Sequence, residues 1–297
     1  ADPELLKKWL PVDLYVGGAE HAVLHLLYAR FWHKVLYDYG LVTTNEPFNK
    51  LVNQGLILGE DSQKMSKSRG NVVNPDDIVK AYGADSLRMY EMFMGPLKEV
   101  KPWQTKGVEG ISRFLARVWR LAMVENQEGE WVLGTKITGE DTGAVTPVRK
   151  ETHKTIKKVT EDIEAMSFNT GISKMMECVN AMTSADSVCV ADYVSLLHVL
   201  NPYAPHITEE MWENCGFGEP IYTQSWPTYD ENKLVADEVE IAVQIKGKVR
   251  ARIMVPASLT QADGEKLLEN ETVKKLVGDA TVRKLIFVPG RLLNIVC

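Results

Sequence analysis

The sequence predicts a chain of three parts: an α/β segment, an all-α bundle and a small α+β domain, in that order. Three observations predict this. First, a β-type run at residues 12–16 (Val-Asp-Leu-Tyr-Val) halts at Gly17-Gly18 and turns into a helical pattern. That strand–glycine–helix unit is the building block of α/β nucleotide folds. Second, residues 107–215 carry five successive stretches of helical periodicity, as a helical bundle does. Third, the apolar period shortens to two beyond Val235, which marks strands. A length of 297 residues suits two or three domains, and 45% apolar with 25% charged residues suits globular units with buried cores.

In the first part, residues 19–39 read as one helix with Val23, Leu26, Leu27, Phe31, Val35 and Leu36 on an apolar stripe, and Gly40 stands at its C-cap. Few other such units occur, so residues 1–60 are expected to be the tail of an α/β sheet. Residues 55–59 form a short strand between glycines, and a polar loop follows over 60–74. Asn74 is placed to cap a helix that opens at Pro75, where a missing N–H does no harm. Asp76 and Asp77 suit the positive end of that helix. Gly83 ends it, and a further helix runs from Asp85 to about Met94.

The bundle helices are expected at 107–124, 146–165, 168–184, 192–200 and 205–214, with a loop over 125–146 and a linker over 216–230. In the last part, Val239, Ile241, Val243 and Ile245 alternate with polar or small residues. Gly247 marks a turn, and Val249, Ala251, Ile253 and Val255 form the partner strand. Helical patterns over 260–278 and strands over 282–288 and 291–296 complete an α+β unit. The expected domains are 1–60, 61–105, 106–225 and 226–297.

Composition excludes several classes. No run of 18 apolar residues occurs, and the first residues have neither a basic nor an apolar signal region. The four cysteines, Cys178, Cys189, Cys215 and Cys297, form no Cys-x-x-Cys pair and no zinc spacing. Reduced thiols of that kind fit a cytoplasmic location. The net charge of −6 divides unevenly, into +5 over residues 241–297 and −11 over the rest. A basic end on an acidic body is either a contact for a polyanion or an ordinary local fluctuation.

Lys64-Met65-Ser66-Lys67-Ser68 lies in the polar loop. Two lysines on a mobile, small-residue loop can close over a polyphosphate and offset charge that builds as a phosphate group departs. Read alone, the run could equally be a solvated loop. Its surroundings decide the matter. The loop resembles the signature loop of class I aminoacyl-tRNA synthetases. Gly17-Gly18-Ala19-Glu20-His21 with His25, and Gly107-Val108-Glu109-Gly110 with Arg113 and Arg117-Val118-Trp119, resemble the bacterial-type leucyl enzymes. Asn201-Pro202-Tyr203-Ala204-Pro205-His206 and the residues after it look like the helical anticodon-binding domain shared by leucyl, isoleucyl and valyl enzymes. Val288-Pro289-Gly290-Arg291 and the residues to Val296 also look leucyl. The Glu-His-x-x-x-His segment separates the leucyl family from its two relatives.

The resemblance implies the end of a Rossmann-like class I catalytic fold, a helical anticodon-binding bundle and a C-terminal tRNA-contacting domain. It implies a leucine–tRNA ligase that makes leucyl-adenylate from ATP and leucine and transfers leucine to tRNA(Leu), with Mg2+ accompanying ATP. By resemblance, Gly17, Gly18 and Glu20 meet the adenosine, with the Glu20 carboxylate on the ribose hydroxyls. His21 and His25 help wall the leucine side chain. Lys64, Met65, Ser66, Lys67 and Ser68 meet ATP, with Lys67 the leading catalytic residue and Lys64 the second.

A metal pair at His21 and His25 lacks a visible third ligand. Helical spacing buries Phe114, Val118 and Leu121 and, with them, Trp119, which leaves Arg113 and Arg117 free to meet phosphates. Strand alternation gives Lys246, Lys248, Arg250 and Arg252 one common face, a surface either for tRNA backbone or for solvent. The match is to the C-terminal third of the family. These residues contain no His-x-Gly-His motif, no editing domain, and no small leucine-specific insertion before the lysine loop. The chain alone is therefore expected to be inactive and to need an N-terminal catalytic part. Two origins stay open, a natural subunit of a split synthetase and a piece of a longer enzyme, and Ala1 in place of Met fits the second. A tRNA-binding module without catalysis is the remaining alternative.

Overall fold

The computed structural model describes residues 2–139, 144–234, 238–245, 247–256, 259–278, 280 and 282–296, with the backbone alone at 238, 239 and 262. The chain divides into two compact units, Ala1–Thr228 and Tyr229–Cys297. Among the described residues no helix is long and apolar enough to cross a membrane.

The first unit opens with α1 (Pro3–Trp9), capped by the Asp2 carboxylate. Strand β1 (Tyr15–Gly18) is followed by a 3₁₀ turn (Ala19–Val23) and α2 (His25–Asp38), and the chain returns in β2 (Leu51–Gln54), parallel to β1. The strand, glycine turn and helix stand in the expected order, and β2, where no strand was expected, completes a β–α–β crossover. Two further details differ from the sequence reading. The strand begins at Tyr15 and takes in both glycines, because Val12 makes only an isolated bridge to Phe48 and the ladder register starts at Tyr15↔Leu51. The expected single helix is broken at Leu24 (φ −121°, ψ −96°), where the tighter 3₁₀ turn closes by a Leu24 N–H to His21 C=O bond. Of the apolar stripe only Leu26 is buried, while Val23 (75% exposed), Leu27 (58%) and Phe31 (57%) face outward.

Strand β3 (Ile57–Leu58) leads into the lysine loop, α3 (Pro75–Tyr82) and α4 (Ala84–Phe93). The Asn74 side chain caps α3 as expected, accepting from Asp76 N–H at 3.2 Å. Strand β4 (Lys101–Pro102) returns parallel to β3. Gly55, just before β3, is required by packing, since a Cβ there would collide with the Glu99 backbone.

The helical body comprises α5 (Thr105–Ala122), α6 (Pro147–Glu164), α7 (Phe168–Ser184), α8 (Val190–Leu200) and α9 (Pro205–Asn214). Between α5 and α6 the chain makes a hairpin of β5 (Met123–Glu125) and β6 (Trp131–Leu133), and then β7 (Ile137–Thr138), which pairs with β8 (Val188–Cys189) ahead of α8. One continuous core joins α3–α9, with Met89, Val108, Val118, Val159, Met175 and Leu197 fully buried. Phe114 and Leu121 are buried as expected, and Trp119 is half-buried, edge-on to Trp131. A buried ion pair, Arg149 Nε to Asp192 Oδ1 at 2.7 Å, ties α6 to α8.

The second unit has a four-stranded sheet of β9 (Glu238–Ile245), β10 (Lys248–Pro256), β11 (Lys284–Val288) and β12 (Leu292–Val296) in the order β10-β9-β12-β11. A 3₁₀ segment (Gln261–Glu269) and α10 (Glu271–Val277) supply its helical layer. Ile241, Val243, Ile253, Val255, Phe287 and Leu293 form the core. Gly247 takes φ +78° at the hairpin turn, a conformation that favours glycine. The expected alternation fails at Val249, which is 55% exposed. A bulge between Val249 and Ala251 is the cause: Val249 pairs with Gln244 whereas Ala251 pairs with Val243.

Candidate functional site

The parallel pair β1–β2 ends in a cleft of about 550 Å3. Ala19 and Glu20 reach it from the turn after β1; Leu51, Asn53 and Gln54 reach it from β2, and Lys98 from the segment before β4. A crevice beyond the carboxyl ends of parallel strands is where α/β sheets bind ligands. The Glu20 carboxylate folds back against the backbone at Gly18, into the space a Cβ there would take. Asn53 Oδ1 is buried with no hydrogen-bond partner among the described residues, an acceptor that local sequence did not reveal.

The two histidines lie beside one another although no single helix carries them. His21 sits in the 3₁₀ turn and His25 begins α2, with ring centroids 6.1 Å apart and edge to face. His25 Nε2 lies 2.6 Å from the Tyr15 hydroxyl. Among the described residues no three His, Cys, Asp or Glu side chains are grouped to hold a metal ion.

The lysine loop is a folded structure. Gly59 N–H donates to Gln63 C=O and Leu58 bridges Lys64, so residues 58–64 form a tight turn. Asn71 then braces the loop from inside. Its amide N–H donates to Asp61 Oδ1 at 3.1 Å and to Lys64 C=O at 3.4 Å, and its Oδ1 accepts from Ser66 N–H at 2.9 Å. The Gln63 N–H and the Asn71 amide hold the Asp61 carboxyl below the usual carboxylate range. Ser66 caps a 3₁₀ turn (Lys67–Arg69), accepting from Arg69 N–H, and its hydroxyl is 3.1 Å from that of Ser68. Gly70 closes the turn at φ +68°. Met65 packs on the main core. Lys64 and Lys67 are exposed, and no ion pair to either is found among the described residues. The loop thus presents two exposed ammonium groups from a braced backbone.

The loop is coupled to the helical body at both ends. Glu60 accepts from Thr105 N–H (3.1 Å) and Oγ1 (2.8 Å), capping α5, and these bonds hold its carboxyl low. Beyond the loop, buried Asp85 on α4 accepts from Ile207 N–H and His206 Nδ1, both at 2.8 Å, and so caps α9. Arg88 donates to Pro202 C=O at 3.0 Å.

The basic residues are dispersed. Arg113 is exposed on α5, 4.0 Å from Glu109. Arg117 Nη2 donates to Asn180 Oδ1 at 2.6 Å and so braces α5 against α7. In the second unit Arg250 and Arg252 are exposed, and Arg252 pairs with Glu240 at 2.9 Å. The bulge breaks the expected common face. Lys248 is in register with Ile245 and Arg252 with Ala242, positions on opposite faces of β9. Lys246 lies outside the described residues.

Known proteins match both parts of this architecture. The class I tRNA synthetases of the isoleucine, leucine, methionine and valine group match residues 2–101, and the anticodon-binding domain of tRNA ligases matches residues 148–266. The chain belongs to the class I aminoacyl-tRNA synthetases and joins a segment of their catalytic fold to their anticodon-binding domain. Within that class it is similar to the leucyl-tRNA synthetase of Agrobacterium radiobacter, solved in a ternary complex with tRNA and LeuAMS. The likeness has 30% identity and a TM-score of 0.77, over 99% of this chain and 39% of that one. Methionyl-tRNA synthetase of Mycobacterium tuberculosis, in two structures with methionyl-adenylate, shares the fold at 16% identity and a TM-score of 0.50, over 71% of this chain and 45% or 46% of those.

Proposed function

We propose that this chain supplies part of a leucine–tRNA ligase: the turn at the adenosine and leucine site, the lysine loop, and the tRNA-binding domains. The observation that carries the reading is a leucyl likeness over 99% of the chain, together with the glycine turn, Glu20 and the two histidines at one strand end. Gly17 and Gly18 would let adenosine approach the backbone, and Glu20 would accept from its ribose hydroxyls. His21 and His25 would border the leucine. The carboxylate of leucine attacks the α-phosphate of ATP in line, so the protein contributes positioning and electrostatics. Lys67, with Lys64, would offset charge on the departing pyrophosphate, while Met65, Ser66 and Ser68 shape the loop around the phosphates. Mg2+ would enter with the nucleotide, bound through its phosphates. Arg113, Arg250 and Arg252, with Lys246 and Lys248, would meet tRNA phosphates; Arg117, held by Asn180, would serve mainly to brace α5.

The same reading gives the chain a partner. Val23, Leu24, Leu27, Tyr28, Phe31 and Trp32 are each more than half exposed on the turn and α2, and β1–β2 is a parallel sheet of two strands. Parallel strands are stable when buried on both faces. The remainder of a class I catalytic sheet, carrying the His-x-Gly-His motif, is the surface that would cover them, whether it comes from the same polypeptide or from a separate subunit. The 297 residues alone would then not activate leucine.

Mixing this chain with a separately expressed N-terminal catalytic part and measuring leucine transfer to tRNA(Leu) tests the proposal. Restored charging that is lost in Lys67→Ala supports it. Binding of tRNA without restored charging would instead make the chain a non-catalytic tRNA-binding module.

A further inference from the structure

We propose that Tyr15 is a positioning residue that holds His25 as the neutral Nδ1–H tautomer, so that the turn after β1 offers its ligand an N–H donor. The proposal rests on reading that turn as the amino-acid and nucleotide site. The Tyr15 hydroxyl and His25 Nε2 are 2.6 Å apart, at the short end for an oxygen donor. A phenol is the better proton donor of the two and a neutral imidazole nitrogen the better acceptor, so the hydroxyl gives its proton to Nε2. A neutral imidazole carries one N–H, and with Nε2 accepting, that proton sits on Nδ1. This reverses the preference of free histidine, which favours Nε2–H.

The surroundings hold Tyr15 in place beside His25. Tyr15 is anchored by the β1–β2 ladder, opposite Leu51. Phe48 packs against it with ring centroids 4.4 Å apart. His21 stands edge-on to His25 with ring centroids 6.1 Å apart. His25 Nδ1 has no hydrogen-bond partner among the described residues, so its proton is available to an arriving acceptor. The ligand chemistry that suits it is an oxygen acceptor: a carbonyl, carboxylate or phosphoryl oxygen. His25 thereby becomes a directional polar group rather than only a wall for an aliphatic side chain.

Side-chain nitrogen–proton correlation NMR on the 297-residue chain at about pH 8.5 reads the tautomer directly. In the wild-type chain His25 is expected to be protonated on Nδ1. In Tyr15→Phe, which keeps the ring packing on Phe48, the majority form is expected to become Nε2–H. Wild-type His25 protonated mainly on Nε2 overturns the proposal without any variant. A folded Tyr15→Phe chain with the wild-type tautomer overturns it too. Binding of a leucyl-adenylate analogue by the chain reconstituted with its N-terminal part reports separately on the proposed function. A tautomer switch without analogue binding removes that reading and leaves the positioning role of Tyr15. Analogue binding without a switch removes the positioning role alone.

Discussion

Replacing Asn71 by Ala should release the lysine loop while leaving the fold intact. Asn71 bonds both arms of the loop, Asp61 and Lys64 on one and the Ser66 N–H on the other, and the exposed Arg69–Gln63 bond at 3.2 Å is the further side-chain link across it. The Asp61 and Ser66 bonds are the two of good geometry, and each is worth about 0.5–1.5 kcal/mol net. Solvent exposure of the loop places their sum at about 1–2 kcal/mol, which corresponds to a population of the opened loop roughly 5–30 times higher. Trypsin reads this directly, because Lys64, Lys67 and Arg69 are its sites and cleavage requires the loop to open. When opening and closing are fast, the cleavage rate follows the open population. Limited proteolysis with mass spectrometry should therefore show cleavage at these residues accelerated by about 5–30-fold, with unchanged cleavage elsewhere in the chain. A rate within twofold of wild type would refute the bracing role. Accelerated cleavage throughout the first unit would show instead that Asn71 supports the fold.

Other consequences follow from named contacts. Asp85→Ala removes the cap of α9 and leaves the Ile207 and His206 donors without an acceptor, a loss of about 2–4 kcal/mol in urea unfolding of the first unit. Arg30, bonded to Glu46, holds that carboxyl down to about 2. Because its folded value lies below the unfolded one, the stability it adds is present above about pH 4.3 and is lost as the pH falls toward 2. A carboxyl NMR titration of Glu46 should show that low midpoint. Burial pushes the Cys178 thiol up to about 12, so at pH 8 iodoacetamide should modify half-exposed Cys189 well before Cys178. Arg250→Glu should weaken tRNA binding and flatten its dependence on salt. Arg252→Glu should act less strongly, because Glu240 already neutralises Arg252.

Most elements were legible where local chemistry determines them. The Asn74-Pro75 helix start and the bundle helices stand close to their expected places, because capping and the 3.6-residue period are properties of contiguous sequence. The bulge beside Val249 was not legible, since it depends on which residue of β9 lies opposite. The break at Leu24 was hidden for a related reason: a 3₁₀ turn and an α-helix share similar apolar spacing over a few residues. His21 and His25 still meet because a turn of either kind brings residues four apart close together.

The site divides in the same way. The glycine turn and the lysine run are contiguous and were readable. Their supports were not, because the partners are distant in sequence: Glu60 with Thr105, Asp85 with His206, Arg117 with Asn180. Asn71 lies five residues from Ser66, and its amide can both donate and accept, which is the property the brace uses.

Leucine-dependent exchange between ATP and pyrophosphate tests the central claim most directly, measured on this chain alone, on the N-terminal catalytic part alone, and on both together. Exchange is expected only from the mixture, dependent on leucine over isoleucine and methionine, and abolished by Lys67→Ala. Exchange by this chain alone, exchange that survives Lys67→Ala, or exchange driven by another amino acid would contradict that claim.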